Sequence, residues 1–392
     1  MTALAPIDVA VIGCGTLAQG AHLPNLRAIE GARLAWACDA SASTLRAVAS
    51  AFRPQRTTRD YMDVIRDPAT RAIILATAQD VRLPVIRAAA AAGKAIYCEK
   101  PIASTLRAMN AIRKVVTKAG VVFCAGHNRR SAPAMQYARE AFRAARAKTR
   151  KPSWRLDRIS GLRAPWPEER QATMLIRIND DLLSWKPWVL EKGIVSLGPM
   201  MFEMTHFTDL ACWFLERQPV EVNACGHLRA NQSVSILFDD GSLATIFMTG
   251  VGTFSYPKEL YELYVNGSAV VVDHLMEVRT GDVPGFPIRR TFPFGFKQDP
   301  HPRVDDGGGI RAWHVKRRHA EKLAERGSRD WDFLTRHEGG PNKGHQEHLR
   351  GFLDAARGLG PSPCDADSAI LATRIALAAI ESLRKGRPVR MG

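Results

Sequence analysis

Over the first third of the chain, short and continuously apolar runs alternate with stretches whose apolar residues recur at helical spacing. Residues 7–12, 33–37, 72–76, 95–98 and 121–124 read as strands. Between them, 45–52, 82–92 and 105–118 carry the 3.6-residue period of amphipathic helices. A strand that is apolar on both faces must be covered on both faces. The pattern therefore predicts a parallel sheet sandwiched by helices, and right-handed crossovers make that a doubly wound α/β domain over residues 1–125.

Beyond about residue 150 the texture changes. Runs at 220–224, 233–238, 244–249 and 262–266 follow one another without intervening helices, with turn signals at Asp239-Asp240-Gly241 and Asn266-Gly267. They predict an α+β domain over 126–392, built on an open, mainly antiparallel sheet. Residues 281–309 are rich in Gly, Pro and Phe and read as a long loop, a lid or an oligomer arm. A closing helix is expected from about Asp365 to Arg384, with Asp365 as its N-cap and Gly386 as its stop.

Composition narrows the classes. The 392 residues are 46% hydrophobic and 24% charged, an ordinary globular balance that excludes a mainly disordered chain. No apolar run is long enough to span a bilayer, and the start lacks a signal-peptide pattern. Lys and Arg number 55 against 39 acidic residues, a formal charge of +16. These cations are spread along the chain and clustered only on solvated helix faces, so neither nucleic acid nor membrane is the expected partner. The seven cysteines form no Cys-x-x-Cys pair. Neither a disulfide framework nor a metal site is expected, and the chain reads as cytoplasmic.

The chemistry begins directly after the first strand. Gly13-Cys14-Gly15-Thr16-Leu17-Ala18 matches G-x-G-x-x-G/A between a strand and a helix, and Asp39 closes the second strand. Gly13 suits the tight turn and Gly15 the approach of a pyrophosphate, with Thr16 and Leu17 opening the helix whose amides face it. Asp39 can accept both ribose hydroxyls and would repel a 2′-phosphate, which favours NAD over NADP.

Further residues carry a family resemblance. Cys98-Glu99-Lys100-Pro101 ends a Rossmann strand, Ala76-Thr77 closes an earlier one, Ala91-Ala92-Gly93-Lys94 precedes the Glu-Lys-Pro strand, and Gly126-His127-Asn128-Arg129-Arg130 follows the next. With Glu203-Met-Thr-His206-Phe-Thr-Asp209, the chain resembles the glucose–fructose oxidoreductase/inositol dehydrogenase (Gfo/Idh/MocA) family. The resemblance implies an active site between the two domains. It also implies reversible hydride transfer between a nicotinamide and a hydroxyl-bearing carbon of a sugar or cyclitol, and a homodimer or homotetramer.

On that resemblance Lys100 stands by the reacting hydroxyl and His206 is the general base, with a pH-dependent rise in rate expected near pH 6–8. Glu203, His206 and Asp209 share a helix side at i, i+3 and i+6, so Asp209 can orient the imidazole or a sugar hydroxyl. Gln79, Arg82 and Glu99 join Ala76, Thr77 and Lys100 around the cofactor. Asn128, Arg129, Asn179, Asp180, Trp185 and Lys186 are the expected substrate contacts, with Trp188 beside them; Arg129, Arg130 and Lys186 also suit an anionic group on the substrate.

The sequence departs from the family where an aspartate usually precedes the histidine by four residues, since Phe202 stands there and Glu203 follows. It also has Arg82 where many members carry a histidine. Two alternatives share these residues: an NAD-recycling glycosidase that oxidises C3 transiently, and a non-enzymatic NAD-binding regulator.

Overall fold

The computed structural model describes residues 6–148, 171–181, 202–228, 230–293, 308–325 and 340–392. Its first sheet holds β1 (Ile7–Ile12), β2 (Ala32–Cys38), β3 (Arg56–Thr58), β4 (Thr70–Leu75), β5 (Ala95–Cys98) and β6 (Phe123–Ala125). The spatial order is β3-β2-β1-β4-β5-β6 and every pairing is parallel. This is the doubly wound order that reverses between β1 and β4, and a crevice opens there at the strands' carboxyl ends. β1, β4, β5 and β6 are buried nearly throughout because helices cover both faces: α1 (Leu23–Arg27), α2 (Ala42–Phe52), α3 (Tyr61–Arg66), α4 (Arg82–Ala91) and α5 (Leu106–Ala119). The sequence pattern shows these elements except β3 and α3, which are too short to carry a period.

After α6 (Pro133–Ala147) comes a second sheet of nine strands. Its strands are β7 (Ala172–Asn179), β8 (Pro219–Gly226), β9 (Gln232–Phe238), β10 (Leu243–Thr249), β11 (Glu259–Val265), β12 (Ser268–Asp273), β13 (Glu277–Gly281), β14 (Arg289–Thr291) and β15 (Val389–Arg390). They lie in the order β14-β13-β12-β11-β7-β10-β9-β8-β15. All pairings are antiparallel except β7 with β10. Within the expected 281–309 loop, residues 289–291 form a sheet edge against 277–279, and 294–307 lie outside the described residues. One face of this sheet packs on α6 and on α7 (Met204–Leu215), and among the described residues the other carries exposed side chains such as Leu175 and Phe247.

Two late helices tie the halves together. Leu349, Phe352 and Leu353 of α9 (His345–Ala356) enter the core on one face of the first sheet. Cys364, Ala369 and Ile370, at and just before the start of α10 (Ala366–Lys385), enter the core on the other face. As expected, Asp365 caps α10 by accepting from the Ser368 N–H at 2.8 Å, and Gly386 ends it at φ +63°. Between α7 and α9 lies α8 (Gly309–Glu325). No helix among the described residues is long and apolar enough to cross a membrane.

Candidate active site

Gly13 leaves β1 at φ +87°, and a Cβ there would meet Ala76 C and Thr77 N at 2.8 Å. The close approach of β1 and β4 thus requires glycine on two grounds. At Gly15 an added Cβ would find no protein atom within 4 Å, so the loop is open on its outer side. Asp39 accepts from the Cys14 and Ser41 N–H groups, each at 2.8 Å, which fixes the carboxylate beside the loop. An open glycine cradle at a helix start with an anchored carboxylate at the second strand's end fits a dinucleotide. Thr16 and Leu17 are exposed on its rim, and Gln79 lies in a short turn, 79–81, after β4.

Arg82 departs from expectation. Its guanidinium is buried under the β4 and β5 turns rather than facing a ligand. It donates to Thr77 O at 2.6 and 3.0 Å, to Pro101 O at 2.6 Å and to Glu99 O. Glu99 is likewise buried, 3.0 Å from His22 Nε2 and accepting from the Lys100 N–H at 3.2 Å. A Cβ on Gly126 would come within 2.9 Å of its carboxylate, so β6 presses directly on this group.

The Lys100–Pro101 peptide is cis, and the Lys100 ammonium donates to Phe202 O across the gap between the two halves. That contact brings it to the start of α7, where Glu203 and His206 sit. Burial makes Lys100 easier to deprotonate than a free lysine, although Glu203 and Glu99 oppose the shift.

Burial would also raise the Glu203 carboxyl, but Lys258, Arg129 and Lys100 outweigh it and hold it at about 2. Its oxygens lie 3.5 Å from Arg129 Nη2 and 3.6 Å from Lys258 Nζ. His206 is buried, and no hydrogen-bond partner meets its Nδ1 among the described residues. Burial and the charges of Arg129 and Lys100 push its protonation far below the usual histidine range. Its ring meets that of His127 edge-on at 5.7 Å. His206 is therefore a neutral imidazole throughout the neutral range, which corrects the expectation that its own titration shapes rate between pH 6 and 8.

Asp209 is the second correction. Arg130 grips it bidentately at 2.6 and 2.7 Å, both side chains buried, so the carboxylate faces the arginine and not the imidazole. A helix advances about 100° per residue, so i+6 is displaced from i+3 by roughly 60° around the axis.

Several expected substrate contacts are held by the protein itself. Arg129 makes a bidentate pair with fully buried Glu259 at 2.7 and 3.0 Å, and Tyr261 OH adds a donor to the same carboxylate at 2.6 Å. Asn128 donates to Lys343 O at 2.7 Å. Asn179 donates to Thr253 O at 2.5 Å and accepts from the Thr253 N–H at 3.1 Å, closing the loop after β10. Asp180 pairs with Lys258 Nζ at 2.8 Å. Trp185, Lys186 and Trp188 lie outside the described residues.

Three charged residues of this site had not been anticipated: Lys258, Glu259 and Lys343. Lys343 Nζ lies 3.4 Å from Glu259, whose charge Arg129 already balances, and burial lowers its hold on the proton. The cleft thus gathers Lys100, Arg129, Lys258 and Lys343 around Glu203, Glu259 and Asp180. Such a field favours negative charge developing between the two halves. Among the described residues no cluster of His, Cys, Asp and Glu is arranged for a metal ion.

Comparison with known proteins agrees with this geometry. Residues 7–127 match the model of the GFO_IDH_MocA family, described as an oxidoreductase family with an NAD-binding Rossmann fold. The uncharacterized oxidoreductase YrbE of Bacillus subtilis is 24% identical over 98% of this chain and 96% of its own length. An inositol 2-dehydrogenase of Rhizobium meliloti is 24% identical over 69% of this chain and 78% of its own. The fold matches that of a levoglucosan dehydrogenase solved with NADH and L-sorbose, with a TM-score of 0.73 at 19% identity, covering 99% of this chain and all of the other. The match identifies residues 7–127 as an NAD-binding Rossmann domain of the Gfo/Idh/MocA oxidoreductase type.

Proposed function

We propose that this protein is an NAD-dependent dehydrogenase that oxidises, reversibly, a hydroxyl-bearing carbon of a sugar, cyclitol or close derivative. The observation that carries the reading is the reach of Lys100 from the cofactor side of the cleft to the start of α7, beside Glu203 and His206. When bound, NAD supplies the hydride acceptor. The Lys100 ammonium lowers the free energy of the developing alkoxide and orients the hydroxyl, work that its short and well-anchored turn suits. His206, neutral and with a buried ring nitrogen that meets no partner among the described residues, receives the hydroxyl proton. Glu203 remains ionised throughout and keeps the cationic surroundings of the lysine in balance.

Gly13, Gly15, Thr16, Leu17 and Asp39 hold the cofactor in this reading, with Ala76, Thr77 and Gln79 along its edge. The inositol and levoglucosan dehydrogenases among the relatives support a polyhydroxylated substrate. The open sheet face carries Leu175, Phe247 and Tyr264 outward, and a second copy of the chain is the proposed occupant, in a cytoplasmic dimer or tetramer. The test is absorbance at 340 nm with NAD and a panel including myo-inositol, levoglucosan and their epimers. Net NADH growth supports a dehydrogenase. Aglycone release from a glycoside without net NADH would refute it.

A further inference from the structure

We infer that Arg82 is the positioning residue for Lys100: one buried guanidinium spans the carbonyls on both sides of the lysine and ties them to the cofactor-side turn after β4. The inference rests on the role proposed for Lys100.

Arg82 opens α4, and its side chain runs back under the strand ends rather than out to solvent. Burying a guanidinium is costly unless its donors are satisfied. Here they are satisfied by carbonyls: Thr77 O, Glu99 O and Pro101 O. Among the described residues no carboxylate lies within ion-pair distance of it. The cation is therefore not one half of a salt bridge that holds two elements together in a general way.

Its acceptors are specific. Glu99 and Pro101 are the chain neighbours of Lys100, and Nη1 serves both, so the fork fixes the turn before and after the lysine. Nε and Nη2 converge on Thr77, at the end of the strand against which Gly13 packs. The glycine turn and the lysine turn thus share one anchor. The planar fork with donors at fixed angles is what a lysine at position 82 cannot reproduce, since its single nitrogen cannot reach both turns in the same geometry. A positioning residue of this kind fixes where the ammonium of Lys100 stands and how deeply it is buried.

The test reads Lys100 directly and needs no substrate. Trace acetylation of lysines across pH 6–11, followed by peptide mass spectrometry, gives the Lys100 titration in the folded protein. It is applied to wild type, Arg82→Met and Arg82→Lys, with NADH affinity measured by fluorescence and folding by circular dichroism. In wild type the Lys100 midpoint is expected below the ordinary lysine value.

In folded Arg82→Met the midpoint rises toward the ordinary lysine value as the turn loosens and the ammonium gains water. Arg82→Lys, which keeps charge and length, lies between the two and holds the test if the methionine variant does not fold. An unchanged Lys100 midpoint in either folded variant overturns the inference, whatever happens to melting temperature. A wild-type Lys100 with an ordinary lysine midpoint instead contradicts the burial of Lys100 in the cleft, on which its proposed role rests. That outcome is distinguishable because it does not depend on position 82.

Discussion

Replacing Asp209 by asparagine tests the most consequential difference between sequence expectation and structure. The carboxylate accepts Arg130 Nε at 2.7 Å and Nη2 at 2.6 Å, and both side chains are at most 10% exposed. The asparagine side chain would keep the shape and lose the charge, leaving a buried guanidinium with one acceptor and without its paired carboxylate. Breaking a buried pair from one side typically costs about 3–5 kcal/mol. The retained amide oxygen places Asp209→Asn at the lower end, about 3 kcal/mol. Arg130→Met should cost a similar amount, because it strands the carboxylate.

Arg130→Met combined with Asp209→Leu removes both charges and fills the volume. It should recover most of the loss, giving a coupling energy of about 2 kcal/mol or more. Urea unfolding of wild type, the two single variants Arg130→Met and Asp209→Leu, and the double variant, followed by circular dichroism without cofactor, measures the cycle. The pH–rate profile of Asp209→Asn should keep its wild-type shape, since the carboxylate faces Arg130 and not His206. Single variants within about 0.5 kcal/mol of wild type, as expected for surface positions, or simple additivity, would refute the pairing. So would a new ionisation in the pH profile.

Other consequences follow from the same geometry. Gly15→Ala should fold with near wild-type stability, because its Cβ meets no protein atom within 4 Å, yet weaken NADH binding about 100-fold, equivalent to about 2.7 kcal/mol; fluorescence titration beside thermal melting separates the two. His206 has a depressed protonation constant, so its neutral form, already dominant at pH 6, does not grow between pH 6 and 8. His206→Asn should then lower kcat about 100-fold at every pH in that range, and a limb near 6.5 that disappears in the variant would contradict this. Phe247→Glu, on the exposed sheet face where Phe247 is 49% exposed, should reduce the proposed dimer or tetramer to single chains in analytical ultracentrifugation without loss of NADH binding.

The fold is legible in the sequence wherever an element is long and one of its faces is buried. The central strands of the first sheet are apolar on both sides, and α5 and α10 carry clear periods with capping residues. Local pattern does not reveal β7: its outward Thr173 and Leu175 alternate properly, but its parallel partner β10 lies some seventy residues on. The site divides in the same way. Gly13, Gly15, Asp39 and Lys100 stand at strand ends in contiguous motifs, so their positions follow from the strand reading.

Lys258, Glu259 and Lys343 reach the cleft only through the second sheet and the segment before α9. Their burial and pairing are tertiary facts. Arg129 and Asp180 were legible as residues of the site but not as halves of ion pairs, because Glu259 and Lys258 come from another strand and its approach. A signal was present at Arg82: a basic residue opening a mainly apolar helix, where the family resemblance leads one to expect histidine. Its acceptors are backbone carbonyls, however, and no sequence pattern displays those.

The central claim, that Lys100 acts at the reacting carbon of a cofactor-loaded cleft, is tested most directly by comparing wild type with Lys100→Ala. NADH binding by fluorescence and NADH formation at 340 nm are followed together, on the first polyol of the panel that wild type oxidises. The account predicts NADH affinity within about threefold, a difference under about 1 kcal/mol, and turnover lowered at least about 100-fold. A variant that turns over at the wild-type rate, or one that no longer binds NADH, would contradict it.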